Sequence, residues 1–211
     1  TMKKNQKYFP LYNSKNRLSN YFLLVSNIKS SNEGKTIIEG NQRVVNARLE
    51  DAVFFWNRDK RHKFENFFSE LNKIIFHNEL GTIQQKVIRL KALSLFLSLK
   101  LKHDKKTKAD FLDIINLLKN DLATEVVKEF PELQGIVGSY YAREAKYNNR
   151  VCDAISEQYK PLGPNDVLPK TDLAKLAALV DKIDTLVGFF IIGREPTSSK
   201  DPLAIRRTVL G

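Results

Sequence analysis

The chain has 211 residues, 42% of them hydrophobic and 28% charged, a balance that supports one sizeable core or two small ones and excludes a low-complexity chain. Thirty-five Lys and Arg against 24 Asp and Glu give a formal net charge of +11, so its field attracts polyanions, with nucleic acid and anionic membrane both open as partners. The single cysteine, Cys152, excludes an internal disulfide, no Cys and His cluster has zinc-finger spacing, and neither a run of roughly 20 apolar residues nor a secretory leader is found, which together point to a reducing cytosol.

The first segment alternates aromatic and aliphatic residues around a polar turn: Tyr8, Phe9, Leu11 and Tyr12, then Asn13 to Asn16, then Tyr21 to Val25 and Ile28. This predicts a β-hairpin or two short strands. Two strands alone are marginal in water, so the hairpin either packs on the helices behind it or is the remnant of a larger sheet, and the remnant is the favoured reading. From about Asn32 the period becomes helical. Ile37, Ile38, Val44, Val45, Leu49, Ala52 and Phe55 fall close to one face, with Arg43, Asn46, Arg48 and Glu50 between them, predicting one long helix to about Trp56. The RDKRHK cluster (Arg58 to Lys63) breaks the pattern. Phe64, Phe67, Phe68, Leu71, Ile74 and Ile75 then resume helical spacing until Gly81 ends the element or begins a turn.

Thr82 is the expected N-cap of the next helix, whose Val87, Leu90, Leu93, Leu97 and Leu101 recur at three and four. The charged KHDKKTK run (Lys102 to Lys108) reads as the loop after it. Ala109 to Val127 is apolar on one face through Phe111, Leu112, Ile115, Leu118, Leu122 and Val126, and Pro131 halts it because proline has no N–H to donate. A turn over Pro131 to Gly138 feeds a helix that holds Tyr140 and Tyr141. Asn149 to Tyr159 predicts a short amphipathic helix, and Pro161 to Pro169 a loop. Thr171 or Asp172 caps the most apolar helix, through Leu173, Leu176, Ala177, Val180, Ile183, Leu186, Val187 and Phe190, which is expected to be the core element. Asp201-Pro202 is a helix start with an acid at the cap and proline in the first turn, and the little chain left after it suggests a piece of something longer. The fold class expected is mostly α with a small β-hairpin appendage at the N-terminus, divided into residues 1–32 and 33–211.

No phosphate-binding glycine loop and no acyl-transfer triad is found. One constellation suggests metal chemistry: His77, then His103-Asp104, then Asp181 follows the order of an HD phosphohydrolase, in which such residues hold a divalent ion that activates water. The HD pair normally ends an apolar helix in the core, whereas His103 and Asp104 lie in a lysine-rich run expected to be solvated, so no metal site is assigned. Asp181 and Asp184, three apart on one helix face, are expected to cap helix ends or pair with Lys86, Arg89 or Arg143. In EFPELQG, Phe130 and Leu133 are expected in the core and Pro131 and Gly135 at a chain reversal, a structural role for a segment whose Glu129 and Glu132 suggest an active-site loop.

That last segment extends to EFPELQGIVGSYYA (Glu129 to Ala142). With RVVNARLEDAVFFW (Arg43 to Trp56), FHNELGT (Phe76 to Thr82), DKIDTLVGFFIIG (Asp181 to Gly193) and SSKDPLAIRR (Ser198 to Arg207), in that order, the chain closely resembles the middle of the bacterial glycyl-tRNA synthetase beta subunit. The resemblance runs from about Lys7 to the last residue. It implies an HD-like helical domain in which Lys119, Asn120 and Asp121 replace the His-Asp pair, so that the fold serves as a scaffold and loses the imidazole a metal needs. It further implies a two-subunit enzyme that joins glycine to its tRNA with ATP and Mg, the alpha subunit carrying the reaction and the beta subunit most of the tRNA binding, in the cytoplasm. Glycine tRNA and the alpha subunit are then the partners, and this region is expected to be inactive alone and to hold no cofactor.

Charge and reach give the candidate RNA contacts: Arg43 and Arg48 on the polar side of the long helix beside Asn41 and Asn46, and Arg58, Lys60 and Arg61 at its end. The alternative for each is a solvated side chain or an ion pair with Glu50, Asp51 or Asp59. Lys200, Arg206 and Arg207 form a second basic group at the Asp201-Pro202 helix start, whose free N–H groups suit a phosphate, or whose cap serves only to orient the next domain.

Overall fold

Helices dominate the structure, with a two-stranded hairpin at the amino end. The computed structural model describes residues 7–28, 32–163, 165–194 and 205–210, the side chains of residues 207 and 210 excepted. The chain divides into two units, residues 1–56 and 57–211.

In the first unit β1 (Phe9–Tyr12) pairs antiparallel with β2 (Leu18–Leu23), Phe9 opposite Leu23 and Tyr12 opposite Leu18. The turn is closed by Asn13, whose side-chain oxygen accepts the backbone N–H groups of Lys15 and Arg17. Helix α1 (Lys35–Asp59) is anchored in this unit by the Tyr8 hydroxyl, which donates to Asn41 Oδ1 at 2.7 Å, while the Tyr8 ring stands edge-on to Phe22. The packed stripe of α1 runs through Ile37, Asn41, Val45, Arg48, Ala52 and Phe55, a spacing of three and four. Ile38, Val44 and Leu49, expected on the buried face, are instead exposed. Neighbours in sequence lie about 100° apart on a helix, so Val44 and Val45 cannot both face one narrow contact.

The second unit is built on four helices: α3 (Ile83–Lys100), α4 (Lys105–Leu117), α7 (Asn149–Glu157) and α8 (Asp172–Ile191), with α4 and α8 packed against all three others and α3 and α7 each against those two. Their fully buried side chains include Leu90, Phe111, Ile114, Ile115, Val151, Ile155 and Val180. The short helices α2 (Phe67–Glu70), α5 (Glu125–Glu129) and α6 (Ile136–Glu144) complete this body, and α9 (Ile205–Leu210) packs on α8 through the buried Ile205. The predicted caps are present. Thr82 forms a reciprocal capping box with Gln85, and Thr171 accepts the Ala174 N–H.

Three expected elements differ. The stretch from Phe64 is not one helix: two tight 3-10 turns flank α2, and Ile75–His77 (β3) pairs with Gly81–Thr82 (β4). Phe64, Phe67 and Leu71 still point inward, because short turns at this spacing bury the same side as a helix. The Lys102–Lys108 run is mostly not a loop but the opening of α4, whose N-cap is Asp104 accepting the Thr107 N–H at 2.7 Å. The predicted 109–127 helix stops at Leu117 and resumes as α5 after a 3-10 turn, Asn120–Ala123. There Thr124 caps α5 by accepting the Val127 N–H. The Asp201-Pro202 helix start lies outside the described residues.

Candidate functional site

The basic run at the end of α1 owes its position to the acid inside it. Asp59 is 2% exposed. Its carboxylate accepts the backbone N–H groups of Glu125 at 3.0 Å and Val126 at 3.1 Å, and the Tyr141 hydroxyl at 2.8 Å. These N–H groups open α5 and have no partner within that helix, so Asp59 caps an element 66 residues away in sequence. Burial and the adjoining Asp59 carboxylate push the Tyr141 phenol well above its ordinary value, which keeps it a donor. Of the alternatives for the arginines, an ion pair with Asp59 is thereby removed: its oxygens are turned into the core, while Arg58, Lys60 and Arg61 stand exposed around it.

Arg58 borders a cavity of about 300 Å³ with Glu125 and Lys128, and Lys60 borders one of about 410 Å³ with Lys63 and Tyr141, His62 lying on the rim of both. Lys60 Nζ meets Glu144 Oε2 at 2.7 Å, an exposed pair that contributes little to stability. Arg43 and Asn46 are exposed, but Arg48 is half-buried on the packed stripe of α1, roughly 140° around the helix from Arg43. Asn41 is likewise engaged, by Tyr8 and by its own amide donating to Ile37 O. Arg43 and Arg48 belong to the first unit, and Arg58, Lys60 and Arg61 to the second. Arg206 is exposed on α9. Lys200 and the Arg207 side chain lie outside the described residues.

A second constellation is buried. On α8, Asp181 and Asp184 project toward α3, where Lys86 and Arg89 repeat the same three-residue spacing. Lys86 Nζ lies 3.1 Å from Asp181 Oδ1 and 3.0 Å from Asp184 Oδ2, and also donates to Thr185 Oγ1 at 2.7 Å. Arg89 grips Asp184 with two parallel bonds, Nε to Oδ1 at 2.7 Å and one terminal nitrogen to Oδ2 at 3.1 Å. Lys119, just past α4, reaches Asp181 Oδ2 at 2.8 Å and covers the Tyr159 ring at 4.2 Å. Lys86 and Lys119 are 3% exposed, so each ammonium exchanges water for carboxylate and an aromatic face. Burial would raise the Asp181 carboxyl, but Lys119 and Lys86 outweigh it and bring it to about 2.

Asp121 lies beside this centre, fully buried, and accepts the Gly135 N–H. Burial raises it to about 6 against the opposing pull of Gly135, Lys119 and Gly138. Gly135 has φ +79°, the reversal expected in EFPELQG, and a Cβ on Gly138 would come within 3.0 Å of the Asp121 carboxyl. Phe130 is buried as expected, whereas Leu133, expected in the core beside it, is only half-buried on a 3-10 turn.

Of the expected partners of Asp181 and Asp184, Lys86 and Arg89 are found, and Arg143 is instead 3.4 Å from Asp153. The Lys119 link was not foreseen, although an apolar helix that ends in Lys-Asn-Asp is a usable signal for buried charge. The metal constellation is not assembled. His77 Nδ1 accepts the Glu79 N–H and its ring abuts Phe189, His103 Nδ1 lies 3.4 Å from Ser98 Oγ, Asp104 is an exposed cap, and both oxygens of Asp181 face lysines. Among the described residues no three His, Cys, Asp or Glu side chains converge as metal ligands, and no helix is long and apolar enough to cross a membrane. Asp181 faces Lys86 and Lys119, and Asp184 faces Lys86 and Arg89, so the centre clamps three chain segments together.

Residues 1–211 match the family described as glycyl-tRNA synthetase beta subunit. The chain is 46% identical over 211 residues to the glycine–tRNA ligase beta subunit of Janthinobacterium sp. (strain Marseille), covering 100% of this chain and 30% of that protein. It is 42% identical over 212 residues to the beta subunit of Phenylobacterium zucineum (strain HLK1), all of this chain and 32% of that one. Against that of Buchnera aphidicola subsp. Schizaphis graminum (strain Sg) the identity is 46% over 213 residues, again all of this chain and 30% of the relative. The chain thus spans about 30% of the length of these relatives. A match from the first residue to the last, carried by relatives this similar, places the chain in the glycyl-tRNA synthetase beta subunit family.

Proposed function

We propose that this region is a helical scaffold that holds glycine tRNA, and helps assemble the alpha and beta subunits, in an enzyme that charges tRNA with glycine using ATP and Mg in the cytoplasm. It makes and breaks no covalent bond and needs no cofactor of its own. The observation that carries the reading is the basic turn Arg58–Lys63, displayed outward by a buried aspartate that fixes its backbone. A phosphate backbone is met by cations held at fixed positions, and a turn pinned in this way loses little freedom on binding. The HD-like character of residues 33–211, with residues 1–32 as the end of a preceding domain, is part of the same proposal. Its support is that Lys119 directs an ammonium at Asp181, the aspartate an HD site would give to a metal.

The test is binding of glycine tRNA by the full chain as a function of salt. Each lost phosphate contact lowers the slope of log affinity against log salt by about 0.7 to 0.9, so Arg58→Glu with Arg61→Glu is expected to lower it by roughly 1.4 to 1.8 and to weaken binding at low salt about tenfold or more. No detectable binding by the unaltered chain at low salt would overturn the RNA role and leave subunit assembly.

A further inference from the structure

The charged run that opens α4 stands beside a cavity the basic turn does not share. This cavity, about 480 Å³, lies between the α3–α4 junction and the first turns of α7 and α8. Leu101, Leu176 and Leu179 are among its lining, and Leu101 and Leu179 are 55% and 49% exposed. Its lining also holds His103, Arg150, Lys175 and Asp172, the last two an exposed ion pair at 3.0 Å. Residues 100–108 add five lysines and one acid, Asp104. That acid is used as the cap of α4. Asp110, which pairs with Arg150 at 3.1 Å, is buried beneath it, and the Arg150 side chain remains 48% exposed. Lys105 and Lys106 are exposed on the first turn of α4. With Arg150 set against Asp110 and Lys175 against Asp172, the surplus of cations beside this cavity comes from the lysines of residues 100–108, and the apolar part of its lining from leucines.

A leucine-lined cavity beside a lysine-rich run suits one kind of polyanion better than the rest. A duplex offers phosphates but keeps its base faces stacked, whereas an unpaired nucleotide offers a flat apolar face and flanking phosphates together. A concavity of this size also admits a single base more readily than it follows a flat bilayer. We propose that this cavity is a site for unpaired RNA, one base lying against Leu101, Leu176 and Leu179 while the adjoining phosphates meet Arg150, Lys105 and Lys106. The proposal rests on the reading that the partner of this chain is RNA, and it assigns a second contact region separate from the basic turn.

The experiment compares the full chain with two variants, using a short single-stranded RNA, a duplex of equal length, and glycine tRNA as probes. Lys105→Glu with Lys106→Glu places acids in the first turn of a helix, where they support it, so lost binding will not reflect lost folding. It is expected to weaken single-strand binding about tenfold or more and to lower its salt slope by about 1.4, two contacts at roughly 0.7 each. Leu179→Ser is expected to weaken the single strand severalfold, leave its salt slope unchanged and spare the duplex. Unchanged single-strand affinity in both variants, with binding still lost in the Arg58→Glu, Arg61→Glu chain, overturns this site and keeps the RNA role. Failure of the unaltered chain to bind any of the RNAs at low salt overturns both. Loss of binding to phosphatidylserine vesicles in the lysine variant, with RNA binding intact, assigns the cavity to lipid and likewise overturns it.

Discussion

In the first unit apolar side chains stand in solvent, with Leu18 and Tyr21 each 68% exposed and Val53 58%, while in the second charged ones are sealed inside, with Lys86 and Lys119 at 3% and Asp121 at 0%. Residue class alone would have put both sets the other way round. Exposed apolar residues occur in the second unit too, Leu99 at 68% among them, so the difference between the units is in the buried charges, and it follows from how many elements are present to share contacts. A two-stranded sheet and one helix enclose a single narrow stripe, so apolar residues off that stripe remain outside. Four mutually packed helices enclose sites where water is absent, and there a charge persists only beside its complement. The first unit is limited by area and the second by charge pairing, and substitutions should reveal which limit applies.

The largest effect is expected at Lys119. Replacing it with alanine removes one of two cations facing Asp181 and leaves that carboxylate buried and half-compensated. Breaking one partner of such a pair typically costs about 3 to 5 kcal/mol, read as a shift in the urea midpoint at constant slope. A loss below about 1 kcal/mol would mean that the centre is hydrated and that the contrast between the units is smaller than the geometry indicates.

The same contrast explains what the sequence made legible. Thr82, Thr171 and the α7 and α8 spans are local signals, settled within four or five residues, and they are found where the pattern puts them. The pairing of Asp181 and Asp184 with Lys86 and Arg89 was legible because both pairs share a three-residue helical spacing. Asp59 was not, since its partners lie 66, 67 and 82 positions away and nothing nearby marks it as different from the solvated acids around it. The breaks after Leu117 and Phe64 were hidden for a related reason. Their apolar residues keep helical spacing, while the interruption comes from buried polar groups such as Asn120, whose amide donates to Phe64 O, and from Thr124, which starts a new helix. Of the site, the cations were readable from composition, but what fixes or engages them, Asp59 for the turn and the packed stripe for Arg48, required the fold.

Asp121 gives the next effect, and its sign separates two kinds of buried acid. Its folded pKa of about 6 lies above the ordinary 3.8, so the folded state holds its proton longer than the unfolded one. The destabilisation this causes is absent below about pH 4, grows as pH rises through 6 and then stays constant, reaching about 3 kcal/mol for a shift near two units. Asp181, lowered to about 2, runs the other way: its stabilisation is present above about pH 4 and is lost as pH falls through 2. Asp121→Asn should therefore flatten the decline in unfolding free energy between pH 4 and 6 and leave the acid limb in place. A decline that persists in the variant would assign it to another group.

The smallest effect is expected in the first unit, and it is informative because it is small. Val53 lies on α1 away from the packed stripe, 58% exposed, and serine has nearly the same helix propensity as valine. Val53→Ser should change the unfolding free energy of the chain by less than about 0.5 kcal/mol, as exposed substitutions usually do. The same exchange at the stripe residue Val45, 9% exposed, removes buried methyl groups and introduces a hydroxyl, and should cost about 1 to 3 kcal/mol. A ratio near one between the two would mean that the exposed flank of α1 is covered in solution, because a valine methyl contributes as a buried group only when other atoms exclude water from it. A large ratio keeps the exposed flank solvated, and makes the narrow stripe through Val45 the contact that holds α1 within its unit.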